Sequence, residues 1–241
     1  MKEQLSEIWV YLAGTPLLGL TATLLAYQLA YMLYTKAKMN PLANPVAIAV
    51  AILVLLLSVT HTPYKTYFSG AQFVHFLLGP ATVALAIPLY QQLSQLKRHW
   101  FSFLMAAVLG SATAITVAMD TGYLLGASAL TVLSLAPKSV TMAIAMGIAD
   151  KIGGLPSLTA VLVMVTGILG ATMARGILHV IKVDDDSISG FALGVSAHGI
   201  GTARAFQVSP EMGAFAGLAM GISGLITALL LPLALRALGL I

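Results

Sequence analysis

The chain has 241 residues, 59% hydrophobic and only 8% charged, with a formal net charge of +4 and a mean hydropathy of +0.96. Soluble domains carry about 25% charged residues, so this composition excludes a soluble globular fold and indicates a polytopic membrane protein. The basic balance fits Lys and Arg at cytoplasmic helix ends. No basic run with interleaved aromatics points to nucleic acid, and the lack of cysteine excludes disulfides and thiolate metal sites.

In chain order, the first element runs from about Ile8 to Tyr34, interrupted at Gly14-Thr-Pro16. The apolar stretch after Glu7 is too long for the h-region of a cleaved signal peptide. Pro45 to about Val59 is an uninterrupted apolar helix, followed by a polar link with Tyr64 and Tyr67 suited to a membrane interface. Gln72 to Leu96 is broken at Gly79-Pro80 and Pro88, and Lys97-Arg98-His99-Trp100 marks a membrane exit. Phe101 to Met119 is a plain span.

The second half repeats this order. A segment from Tyr123 to Asp150 is interrupted at Ala136-Pro137-Lys138, and Leu158 to Ile181 is a span with Gly167, Gly170, Ala171 and Ala174 on roughly one face. The acidic loop Asp184–Asp186 follows, then the segment from Ile188 to Phe206, broken by Gly194, Gly199 and Gly201, and a last span from Met212 to Leu238. The expected fold is an all-α membrane domain over 1–241. It is read as two repeats, 1–120 and 121–241, each combining plain spans with broken or re-entrant helices. The repeats are inverted if each crosses an odd number of times, which is the arrangement expected here. Interrupted helices in matching positions of two halves point to a transporter site near the bilayer midplane.

The candidate site residues sit at the breaks. Lys138 follows Pro137 inside an apolar stretch, with Ser139 and Thr141 adding hydroxyls. A helix restarting there aims its positive N-terminal end at an anion. Arg204, with Ser196, His198 and Thr202 before it, is the second cation; its guanidinium suits a carboxylate. Glu3, Glu7, Asp120, Asp150, Asp184–Asp186 and Glu211 all lie near segment ends. Two interior cations without an interior anion imply that the negative charge arrives with the ligand. His198 is a core histidine bonded to a backbone carbonyl or a proton-coupling group. Gly79, Pro80, Pro137, Gly194, Gly199 and Gly201 are the expected backbone breaks. Gly194-Val-Ser196-Ala-His198 departs from a nucleophile elbow at its last position and has no interior acid. No histidine pair has metal-ligand spacing. The chain is therefore not read as an enzyme, and no cofactor or metal is expected.

Five motifs carry a family resemblance: Leu78–Tyr90, Pro137-Lys-Ser-Val-Thr141 with Ile144-Ala-Met146, Gly153–Ala160, Thr166-Gly-Ile-Leu-Gly170 and Ala197–Arg204. In this order they resemble the LrgB/CidB family over nearly the whole chain. The resemblance implies a multi-pass protein of the bacterial inner membrane, long labelled antiholin-like and linked to murein hydrolase control. It also implies transport of small monocarboxylates such as pyruvate, glycolate or glycerate, since a plant relative is the plastidial glycolate/glycerate transporter. A small LrgA/CidA-type membrane partner and a homo-oligomer are expected with it. One departure is Met142-Ala143, where the family pattern continues Thr-Pro; its loss leaves a less interrupted helix.

Overall fold

The computed structural model describes residues 16–40, 43–77, 80, 83 and 86–241. Described elements are helical throughout: α1 (Pro16–Lys36), α2 (Pro45–Val59), α3 (Tyr64–Phe76), α4 (Ala86–Gln91), α5 (Leu93–Leu124), α6 (Ala129–Leu135), α7 (Met142–Ile152), α8 (Pro156–Val180), α9 (Asp186–Phe206) and α10 (Pro210–Ala237). The chain divides into two compact units, Met1–Ala84 and Leu85–Ile241. Among the described residues, α1, α5, α8 and α10 are long and apolar enough to cross a bilayer. Pro45, Pro156 and Pro210 stand at helix starts, where a missing N–H costs nothing and the fixed φ is already helical. The expected interruption at Gly14 and Thr15 lies outside the described residues, and α1 is described from Pro16 onward.

In the first unit, α1 and α2 pack through Ala26, Ala30 and Ala49, small side chains that let the helices approach closely. The Asn44 side chain caps α2 by accepting from the Val46 and Ala47 N–H groups. Thr23 Oγ1 and the Tyr67 hydroxyl lie 2.8 Å apart, tying α1 to α3.

The second unit departs from a simple succession of spans. At Lys97–Trp100, where a membrane exit is expected, α5 is interrupted by non-helical backbone at His99 (φ −118°, ψ 18°), which joins a short first helix to the longer one that follows. Beyond α5, two segments enter and turn back. Seven residues in α6 and eleven in α7 are each too short to cross about 30 Å of hydrocarbon. Ser134 and Leu155, 21 residues apart, are joined: the Leu155 N–H donates to Ser134 Oγ at 2.8 Å, and Thr159 Oγ1 donates to the Ser134 carbonyl at 2.9 Å. The chain between them therefore goes out and comes back, forming hairpin 1 with its tip at Pro137–Thr141. Gly153 ends α7 at φ 81°, a left-handed cap that a side chain would strain. Gly154 then passes flat against the Ser134 backbone.

α9 is likewise two arms. Its first arm runs parallel to α10, because Gly190 sits against the Met212 carbonyl and Gly194 against the Ala216 carbonyl. Its second arm runs antiparallel to α10: Gly199 faces Met220, Thr202 faces Gly217, and Phe206 covers Gly213. The reversal occurs at His198 (φ 42°, ψ −134°). The base closes where Ser209 Oγ donates to Asp186 Oδ2. This is hairpin 2. The break falls on His198 rather than on the three glycines: Gly194 lies within the first arm, where the absence of a side chain admits the Ala216 carbonyl. Gly199 and Gly201 open the returning arm, and a Cβ on Gly201 would lie 2.7 Å from the Leu193 carbonyl of the first. The first arm covers about 18 Å and the second about 12 Å, roughly half a bilayer core. Hairpin 1 closes beside the start of α8 and hairpin 2 follows its end, so the two enter from opposite ends of that span.

Candidate functional site

Hairpin 1 brings Lys138 and Ser139 to its tip. Pro137 is fully buried, and two tight turns, Lys138 N–H to the Leu135 carbonyl and Val140 N–H to the Pro137 carbonyl, carry the chain around it. The Lys138 ammonium donates to Ser139 Oγ at 3.4 Å. Thr141 stands before α7 with no side-chain cap bond, leaving the first N–H groups of that helix to another partner. Lys138 and Ser139 line a cavity of about 570 Å³ together with Thr166 of α8, Ala192 and Ser196 of hairpin 2, and Ala114 of α5. No acidic side chain among the described residues lines it. A partly buried ammonium without an anion is costly in a low-dielectric setting, which favours an anionic ligand.

Arg204 is not at this site. It lies in the last turn of hairpin 2, six residues and about 9 Å of helix back from the tip. Its Nη1 donates to Gln207 Oε1 at 2.9 Å, and it lines a second cavity of about 880 Å³ with His179, Asp184, Asp186 and Ser189, which adjoins the Lys138 cavity at Ala174, Leu178 and Leu193. The two expected cations thus line adjoining cavities rather than one, because chain reversal at His198 carries Arg204 back toward the acidic loop.

His198 and Thr202 hold the turn of hairpin 2. The His198 ring is buried, and its Nε2 donates to the Val163 carbonyl of α8 at 2.9 Å. Thr202 Oγ1 donates to the His198 carbonyl at 2.9 Å, giving the backbone at the reversal a partner. Ser196 Oγ donates to the Ala192 carbonyl at 2.8 Å while its residue stays exposed on the cavity side. Thus Lys138, Ser139 and Ser196 share one cavity, Thr141 heads the helix beside it, His198 and Thr202 are structural to the turn, and Arg204 stands elsewhere. Pro80 is exposed and belongs to the other compact unit; Gly79 lies outside the described residues.

Sequence reasoning met Thr166 only as the start of the Thr166–Gly170 motif and did not count it among the site residues. It also missed the purpose of the small face on α8. A Cβ on Gly167 would lie 2.8 Å from the His198 ring, and one on Gly170 2.6 Å from the Ala197 methyl. These glycines form the notch that receives the tip of hairpin 2.

Residues 23–237 match the LrgB-like family. The chain belongs to the LrgB family. Among its curated LrgB relatives, the antiholin-like protein LrgB of Bacillus mycoides (strain KBAB4) and that of Bacillus cereus (strain B4264) are each 29% identical over 225 residues, covering 93% of this chain and 98% of theirs. No solved structure matches the chain.

Proposed function

We propose that this LrgB protein carries small monocarboxylates of the pyruvate, glycolate or glycerate kind across the bacterial inner membrane. The observation that supports this reading is Lys138, a cation at the tip of a re-entrant hairpin, in a cavity that supplies no acid. Its ammonium attracts the carboxylate, Ser139 and Thr166 offer hydroxyls to the carboxylate or to a 2-oxo group, and Ser196, whose proton goes to the Ala192 carbonyl, can accept from a 2-hydroxy group. The start of α7, eleven residues long, adds N–H groups and a positive helix end. Within the second expected repeat, 121–241, the order hairpin then span occurs twice with opposite entry. That arrangement suits a midplane site reached alternately from two sides. Proton coupling through His198 is left out of the reading because its Nε2–H is held by Val163. A small LrgA/CidA-type partner and a homo-oligomer complete the proposal.

Uptake of labelled pyruvate or glycolate into proteoliposomes, with and without the small partner, tests the reading. Uptake that Lys138→Gln leaves unchanged removes Lys138 from the site; no uptake in either preparation removes the carrier. The names of the relatives favour a second reading, an antiholin-like regulator of murein hydrolase activity and lysis. Under that reading, deletion alters autolysis in cells given no carboxylate.

A further inference from the structure

The Lys138 cavity is polar at Lys138, apolar along its middle, and adjoins the Arg204 cavity at its outer end, where Ala174, Leu178 and Leu193 line both. Hairpin 1 rises from the Pro156 end of α8, so Lys138 and Ser139 meet the cavity near Thr166. From there the lining continues along α8 through Met173 and Ile177 to Leu178, about 18 Å from Thr166 to Leu178, with Leu193 of hairpin 2 opposite. This outer part offers no charged or hydroxyl side chain among the described residues. At about 570 Å³, the cavity exceeds by several-fold what a two- or three-carbon acid fills.

Resting on the carboxylate reading above, we infer that the cavity prefers monocarboxylates carrying an apolar chain of about three to five carbons, with the carboxylate on Lys138 and the chain laid along Met173 and Ile177. A second carboxylate on a ligand of that length would end beside Met173 and its aliphatic neighbours, short of Leu178 where the Arg204 cavity adjoins, with no cation to meet it, so dicarboxylates of equal length are rejected. Full burial of a methylene is worth about fourfold in affinity. Met173 and Ile177 are 54% and 51% exposed, so the groove covers about one side of the chain and about twofold per methylene is expected.

The test is inhibition of labelled pyruvate uptake in proteoliposomes of the full-length wild-type chain by a matched series of 2-oxo acids. Inhibition is expected to strengthen steadily from pyruvate through 2-oxobutanoate and 2-oxopentanoate to 2-oxohexanoate, about eightfold in total. 2-Oxoglutarate, which has the carbon count of 2-oxopentanoate but a second carboxylate, is expected to inhibit far more weakly, and Met173→Asn is expected to flatten the series. A flat series in the wild type, or equal inhibition by 2-oxoglutarate and 2-oxopentanoate, overturns the inference and assigns the outer groove to bilayer lipid, while Lys138-dependent pyruvate uptake survives. Absence of any Lys138-dependent uptake removes the carrier reading itself, and this inference with it.

Discussion

His198 Nε2 lies 2.9 Å from the carbonyl oxygen of Val163, 35 residues earlier in the chain. A carbonyl only accepts, so this nitrogen carries a proton, and the bond pins the reversal of hairpin 2 to the neighbouring span. The pinning offsets a backbone at φ 42°, which for a residue with a side chain costs about 1–3 kcal/mol. The ring fits because α8 presents Gly167 beneath it.

Gly167→Ala should therefore lower stability by about 1–3 kcal/mol, since the ring and Ile200 both stand 2.8 Å from the new methyl. Gly147, on α7, has nothing within 4 Å, and Gly147→Ala should be neutral or stabilising by up to about 1 kcal/mol. Thermal unfolding of the two variants in detergent separates packing from helix propensity. Equal behaviour would remove the notch.

Ser134 closes hairpin 1. Its hydroxyl accepts from the Leu155 N–H and donates to the Leu130 carbonyl at 2.7 Å, with the residue fully buried. Ser134→Ala leaves the Leu155 N–H without that partner and should cost about 1–3 kcal/mol. Faster exchange of the Leu155 amide with deuterium, compared with helix interiors, is the specific sign of the lost bond.

The separation of the two cations gives an asymmetric outcome. Lys138→Gln is expected to reduce monocarboxylate uptake by at least tenfold, the loss of one charge-assisted hydrogen bond being about 1.5–3 kcal/mol. Arg204→Gln, at the hairpin base, is expected to retain most uptake. Equal loss in both, at matched protein incorporation, would bring Arg204 back to the site.

Asp185 caps hairpin 2 from the loop outside the spans. The Ser187 hydroxyl, and then the Ile188 N–H, hold its carboxyl below the ordinary value of 3.8, against a smaller opposing effect of burial. A carboxyl whose folded value is depressed contributes stability that is fully present above pH 3.8 and is lost as pH falls through the lower folded value. Acid melting curves should show this limb in the wild type. Asp185→Asn keeps a capping acceptor and should flatten the limb, whereas Asp185→Ala should lose about 1 kcal/mol at neutral pH.

The residues themselves determined the membrane class, α2 from Pro45 to Val59, the spans through α8 and α10, and a break around Pro137, because apolar length and proline act locally. The placement of Lys138 beside a break was legible for the same reason. Direction was not. A helix that continues after a break and one that reverses have the same composition and periodicity, so Ile188–Phe206 read as a single interrupted segment. Only tertiary contacts decide the reversal: Gly190 and Gly194 against α10 in parallel, Gly199 and Phe206 against it antiparallel, and Ser209 closing on Asp186. That reversal moves Arg204 to the acidic base and leaves Lys138 as the cation of the 570 Å³ cavity, because charge distribution in a hairpin is set by which arm each residue occupies rather than by its spacing along the chain.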